Sequence, residues 1–203
     1  MNKIFILHFI AFILGSIPFG YLLGKAKGLD IREHGSGNIG ATNVIRVVGK
    51  ATGYLTLIAD ISKGLIAVML AYLMPESTQI IPPEAFAASL GLFAIIGHCY
   101  SPFLKFNGGK GVATAFGVFL ALTPIPTILA AGVFLISLKI FNYVSVSSLL
   151  ASGSIPIFYY ILGHSSGMVM TVAVIAACII ASRHKTNIYR IQKGIEPKAY
   201  CRP

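Results

Sequence analysis

Charge is what this sequence has least of. Asp, Glu, Lys and Arg make up 11% of its 203 residues, where an ordinary soluble domain carries about a quarter. That scarcity excludes a soluble globular domain, and the short connections between apolar stretches leave room for none. Acids are the scarcer sign, six in all, and only Asp60 lies within a long apolar stretch, so a charge relay has no second carboxylate. Asp30 and Glu33 have no partner order that would spell a Ser-His-Asp arrangement. Cys99, Cys178 and Cys201 show neither paired nor metal-ligand spacing, so no disulfide and no metal site is expected. The first apolar stretch, 4–23, is longer than a signal-peptide core, no A-x-A site follows it, and it is expected to stay as a span.

What the chain has in abundance is hydrocarbon: 56% hydrophobic residues and a mean hydropathy of +0.81. Apolar stretches of about 15 to 23 residues, bounded by Gly, Pro or charge, have the length of membrane helices, which need about 20 residues at 1.5 Å rise. They predict spans near 4–24, 52–74, 85–100, 111–124, 126–140, 145–162 and 167–182. The fold class expected is an all-α integral membrane protein, a polytopic bundle of about seven transmembrane helices in one domain over 1–203. Residues 111–138 carry no charge and would serve as one long helix. Pro124 and Pro126 favour a reversal between two short ones.

Parity supports that division. Lys25, Lys27, Arg32, Arg46 and Lys50 follow the first span, Lys105 and Lys110 the third, Lys139 the fifth, and Arg183, Lys185, Arg190, Lys193, Lys198 and Arg202 the seventh. Only an odd span count puts all of these on one face. The positive-inside rule makes that face cytoplasmic, with the N-terminus outside, the C-terminus inside, and Glu76 and Glu84 on the outer side. The formal charge of +10 is thus topological, and nucleic acid is not an expected partner, since no soluble face exists to grip a duplex.

Three polar islands fall on the cytoplasmic face. The first, EHGSGNIGATNVIR from Glu33 to Arg46, offers neutral hydrogen bonds from Ser36, Asn38, Thr42 and Asn43 and a two-pronged donor from Arg46, an inventory suited to a phosphorylated substrate. Its Gly35, Gly37 and Gly40 spell G-x-G-x-x-G, but no soluble strand precedes them and no βαβ unit holds them, so a dinucleotide is not expected. The second, GHCYSPFLKFNGGKGVAT from Gly97 to Thr114, places Gly108, Gly109, Lys110 and Gly111 at the start of an apolar helix. This outlines a phosphate cradle of backbone N–H groups, a helix N-terminus and one full positive charge, the alternative being a flexible turn with a topological lysine. A Walker A loop is excluded, because position 104 is Leu and position 111 is Gly. The third, RHKTNIYR from Arg183 to Arg190, on a straight helical continuation would set Arg183, Asn187 and Arg190 on one face with His184 adjoining. It serves equally as a lipid-headgroup anchor. Ser145, at the remaining cytoplasmic turn, is a candidate for the same pocket or a small residue for close helix packing. His98 stands at the cytoplasmic end of span three as a base or a structural partner, and Asp60 with Lys63, three residues apart, read as a neutralised packing pair or an ion-coupling pair. His8 and His164 fall on the outer side.

In this order and spacing, GSGNIGATNVIR, GHCYSPFLKFNGGKGVAT and RHKTNIYR resemble the three motifs of bacterial acyl-phosphate-dependent glycerol-3-phosphate acyltransferases. The resemblance runs over nearly the whole chain, including Asp60-Ile-Ser-Lys63-Gly64, and fades in the tail after Lys193. It implies transfer of a fatty acyl group from acyl phosphate to the 1-hydroxyl of sn-glycerol 3-phosphate, giving lysophosphatidic acid and phosphate, on the cytoplasmic side of the bacterial inner membrane and without cofactor. It implies that Ser36 and Arg46 belong to the essential first motif, that Gly108, Gly109, Lys110 and Gly111 hold the substrate phosphate, and that His184 and Asn187 act from the third, with Arg190 and Ser145 in support. A mixed anhydride carries a good leaving group, so direct transfer without an acyl-enzyme is expected, with orientation and charge stabilisation supplying the rate. The H-x-x-x-x-D motif of acyl-CoA-dependent enzymes is absent: position 103, five after His98, is Phe. A membrane transporter of an organic phosphate is the rival class, against which stand the islands' common interface and the lack of a visible internal repeat.

Overall fold

The computed structural model describes residues 2–73 and 81–199, so Glu76, Cys201 and Arg202 lie outside the described residues. The described residues are all-helical: α1 (Asn2–Ser16), α2 (Phe19–Ala26), α3 (Ala41–Val47), α4 (Lys50–Met69), α5 (Pro83–Cys99), α6 (Val112–Leu122), α7 (Pro124–Phe141), α8 (Val144–Ile161), α9 (Gly167–Arg183) and α10 (Lys185–Gln192). Four helical stretches, 50–73, 83–104, 124–141 and 144–161, are long and apolar enough to cross a membrane, and six are if α1 with α2 and α9 with α10 each form one bent span. At 11 residues, or about 17 Å, α6 falls short of the hydrocarbon thickness by itself.

Two expected helices are broken. The first apolar stretch bends by 41° between Ser16 and Phe19, because Pro18 has no N–H to continue the ladder. The last stretch bends by 54° at His184, so it is not the straight continuation expected and Arg183 does not share a face with Asn187 and Arg190. The cause is local: the His184 ring donates from Nδ1 to the Ile180 carbonyl at 2.7 Å, taking the acceptor that its own backbone N–H would use, and that N–H turns to Ala181 O at 3.0 Å. The break in 111–140 falls at Thr123, with Pro124 and Pro126 inside the first turn of α7, where a missing N–H costs nothing.

Small residues do the packing. Gly15 of α1 lies against the Ala94 backbone of α5, and Gly97 of α5 returns the contact to Phe12 O and Ser16 of α1. In the same way Gly64 of α4 meets Thr114 O of α6 while Gly117 of α6 meets Ile61 O of α4. Side chains at these four positions would collide with backbone, so close helix approach there requires glycine. The large apolar side chains are turned outward instead: Phe5, Phe9, Ile58, Leu135, Ile136 and Ile157 are all more than half exposed. Small residues inside and large hydrocarbon outside is the arrangement of a multi-pass membrane protein, whose solvent is lipid. Within it α5 is 61% buried over its apolar window and α7 only 22%, which puts α5 at the centre and α7 at the rim.

The break at Pro18 leaves carbonyls without helical donors, and both find partners from far along the chain. Ser101 donates from Oγ to Ser16 O at 2.6 Å, and Lys63 Nζ donates to Ile17 O at 3.2 Å. Lys63 is 2% exposed and its charge is met by Asp60, Oδ1 at 2.9 Å, with His98 Nδ1 3.7 Å from the same oxygen. Lys63 thus caps the break between α1 and α2 with Asp60 as its counter-charge, while Asp60 and His98 also border the cavity described below.

Replacing Gly64 by Leu should force α4 from α6 and lower stability by about 1–3 kcal/mol, the usual cost of overpacking. Gly132→Leu in α7, where an added Cβ meets nothing within 4 Å, should leave the melting temperature of the detergent-solubilised protein unchanged. Equal shifts in the two variants would refute the close-contact account.

Candidate functional site

The first island folds around one side chain. Asn43, on α3 and 2% exposed, donates from Nδ2 to the carbonyls of Ile31 (3.0 Å), His34 (3.1 Å) and Asn38 (2.9 Å), and its Oδ1 accepts from Ser36 N (2.8 Å). The expectation that Asn43 reaches for a ligand is corrected: its amide is spent holding the loop. Asn38 is committed likewise, its Oδ1 accepting from Gly40 N at 2.8 Å. This scaffold brings Ser36, Asn38, Thr42, Asn43 and Arg46 to the cavity rim. Arg46 reaches the C-terminal tail, its Nη2 3.3 Å from Lys198 O and 3.5 Å from Pro197 O.

The second island differs from a phosphate cradle in its first half. Gly108 N donates to Cys99 O (3.2 Å) and Gly109 N to His98 O (3.0 Å), and Arg183 donates from Nη2 to Gly108 O (2.9 Å) and from Nε to Gly109 O (3.2 Å). A Cβ on Gly108 would strike the His98 carbonyl and one on Gly109 the His98 ring. These two glycines let the loop lie flat on the end of α5, and their N–H groups are not offered to an anion. Gly111 has φ +84° as it opens α6, a left-handed turn that glycine adopts without strain, and it carries Lys110 to the cavity. Burial, with Arg190, Arg46 and Arg183 nearby and Glu196 opposing, draws the Lys110 ammonium down to about 8.

The third island, α8 and the tail close the site. Lys110 Nζ donates to Asn187 Oδ1, and Asn187 Nδ2 donates to Glu196 Oε1 at 2.6 Å. Ser145 Oγ donates to the same Oε1 at 2.8 Å, and Arg190 Nε to Oε2 at 3.0 Å. Burial raises the Glu196 carboxyl, but hydrogen bonds from Asn187, Ser145 and Arg190 outweigh it and hold the group below its usual range. His184 is 2% exposed; with Nδ1 given to Ile180, Nε2 is the ring atom through which it can meet a ligand.

Ser36, Asn38, Thr42, Asn43, Arg46, Lys110, Gly111, Ser145, His184, Asn187 and Arg190 all border one cavity of about 400 Å³, while Gly108 and Gly109 do not. One part of its wall is polar and cationic. The other is apolar, from Leu57 and Ile61 of α4, Phe116 of α6, Phe134 and Leu135 of α7 and Ile155 of α8. Such a space takes a compound with an anionic head and a hydrocarbon chain. Arg183, expected on the anion-facing side of the third island, has another task, and Glu196 has no counterpart among the sequence expectations. Arg183 clamps the second loop, and Glu196 joins Ser145, Asn187 and Arg190. The signal for Glu196 was its isolation, as the one acid after Glu84 in a basic tail.

Residues 5–194 match the family described as glycerol-3-phosphate acyltransferase. The chain is 46% identical over 186 residues to the glycerol-3-phosphate acyltransferase of Geotalea daltonii, covering 92% of each protein, and 44% identical over 197 residues to that of Staphylococcus carnosus, covering 93% of this chain and 94% of the relative. It superposes with a TM-score of 0.88, at 37% identity and over 97% of this chain and 95% of the other, on the crystal structure of the integral membrane glycerol 3-phosphate acyltransferase PlsY in its glycerol 3-phosphate form. The lysophosphatidic acid form of that protein gives 0.86. On this agreement of sequence, fold and cavity, the chain belongs to the glycerol-3-phosphate acyltransferase family.

Proposed function

We propose that this protein transfers a fatty acyl group from acyl phosphate to the 1-hydroxyl of sn-glycerol 3-phosphate, forming lysophosphatidic acid and phosphate. The observation that carries the reading is the division of one cavity between a cationic wall and a hydrocarbon wall. The polar part carries the cationic donors of Lys110, Arg46 and Arg190 for phosphoryl groups, with Asn187 and Ser145 beside them. The apolar part between α4, α6, α7 and α8 has the character needed by an acyl tail.

The chemistry asks little of a nucleophile. The acceptor hydroxyl attacks the anhydride carbonyl, the carbon–oxygen bond to phosphate breaks, and the departing phosphate can take up the hydroxyl proton. Arg46 and Lys110 neutralise charge on the leaving oxygens, Ser36 lies beside the transferring acyl group, and His184 Nε2 serves as hydrogen-bond partner to substrate. Transfer is direct, so no acylated Ser36 accumulates. The reaction runs at the cytoplasmic face of a bacterial inner membrane, with the N-terminus outside, the C-terminus inside and seven apolar segments, α6 among them, threading the bilayer.

Radiolabelled glycerol 3-phosphate given to the purified protein with acyl phosphate should yield lipid, and acyl-CoA or acyl carrier protein should not replace the donor. Saturable uptake into vesicles without product would identify a carrier instead. Lys110→Met should lower kcat/KM for glycerol 3-phosphate roughly 30- to 150-fold, the loss of a charged hydrogen bond worth about 2–3 kcal/mol. Because the ammonium is the binding form and its pKa is about 8, affinity for glycerol 3-phosphate should fall as pH rises through 8, and Lys110→Arg should move that fall upward. For topology, a C-terminal tag should resist protease added to intact spheroplasts, whereas an N-terminal tag should be cut. The opposite pattern would invert the bundle.

A further inference from the structure

The tail after α10 is built into the site rather than trailing from it. Gly194 N and Ile195 N donate back to Ile191 O (3.0 Å) and Arg190 O (2.9 Å), turning the chain at the end of α10. Farther on, Ala199 N donates to Asn142 O at 2.8 Å, pinning the tail beside the start of α8. Between these anchors Glu196 points inward, its side chain 5% exposed, and both its oxygens accept hydrogen bonds. Its partners come from two separate elements, Ser145 from α8 and Asn187 and Arg190 from α10.

We infer that Glu196 is a positioning residue for the anion site: its carboxylate sets the side chains of Ser145, Asn187 and Arg190, and through Asn187 that of Lys110. The inference rests on reading this cavity as the seat of a phosphorylated acceptor. The step through Asn187 is the specific one. An amide presents an oxygen on one side and two N–H donors on the other, and nothing in its shape decides which way it faces. Here the acceptor Glu196 takes the Nδ2 side, so Oδ1 faces Lys110 and holds its ammonium at the cavity. Arg190 is likewise fixed through Nε, which leaves its terminal nitrogens for another anion.

Simple charge arithmetic makes the opposite forecast. Removing an anion from a pocket lined by Lys110, Arg46 and Arg190 strengthens its field, so on Coulomb's law alone Glu196→Ala would bind phosphate more tightly. A carboxylate that merely occupied the phosphate's place would give the same sign. Positioning predicts looser binding, and the two accounts separate on direction.

The test uses the full chain in detergent, titrated calorimetrically with glycerol 3-phosphate and separately with inorganic phosphate, both without donor, and then assayed for transfer. Glu196→Ala should weaken binding and raise KM for glycerol 3-phosphate by about tenfold or more, the effect of losing oriented charged hydrogen bonds. Glu196→Gln, which keeps an acceptor for Ser145 and Asn187, should recover part of the loss. In the Asn187→Ala background, adding Glu196→Ala should cost less than it does in the wild type, the remainder being what Glu196 holds through Ser145 and Arg190. Unchanged or tighter binding in Glu196→Ala overturns the inference, as does a failure of Glu196→Gln to recover any of the loss. Because the titrations need no turnover, an unreactive wild-type protein would sink the proposed transfer and still leave the Glu196 comparison decisive. A wild-type protein binding neither anion would end both.

Discussion

The capping of the broken first helix is the interaction on which the rest of the structure depends. A proline in the middle of an apolar helix frees carbonyl oxygens, and a carbonyl with no donor in a water-free interior costs several kcal/mol. Here Lys63 and Ser101 supply the donors, and Asp60 makes the buried ammonium tolerable. With the break satisfied, α2 turns away from α1 and carries the first polar loop in beneath the bundle, where Ser36 and Arg46 meet residues from the other end of the chain. Without it, one straight helix would deliver that loop elsewhere.

Around that joint, the bundle is organised by what glycine permits. The paired contacts between α1 and α5 and between α4 and α6 bring backbones together at four points, so the inner helices form a rigid frame with little side-chain freedom. The peripheral α7 contributes apolar wall and little frame. Rigid polar groups and a hydrocarbon wall near lipid thus come from different helices, which lets each be built by its own rules.

The apolar segments were legible in the sequence because length and composition alone fix them, and the three polar islands because polar residues stood out between them. What could not be read locally was direction. Asn43 and Asn187 are the same residue type in similar polar segments, and both border the cavity, yet one amide bonds within its own loop and the other links Lys110 to Glu196. The difference is set by how the loop folds, with Gly35 and Gly37 both at positive φ. Gly108 and Gly109 were read as anion ligands because glycine-rich loops often are. Their actual partners, the ends of α5 and α9, are close in space and not all close in sequence. The break at Pro18 runs through an expected unbroken span, and its remedy lies at positions 63 and 101. Glu196 is legible in sequence only as a lone acid among bases, because its partners Ser145, Asn187 and Arg190 are gathered by the fold.

The distance between the break and its donors also sets an order of assembly. Ser16 O waits for a residue 85 positions later, and Ile17 O, which has Phe19 N at 3.1 Å as a local donor, gains a second one from 46 positions later. While the chain is being made, the first helix therefore enters the bilayer with a wet joint, and hydration there must persist until α4 and then the loop after α5 have been synthesised. Biogenesis of this protein is in that sense a delayed drying, in which the first segment to emerge is among the last to be sealed.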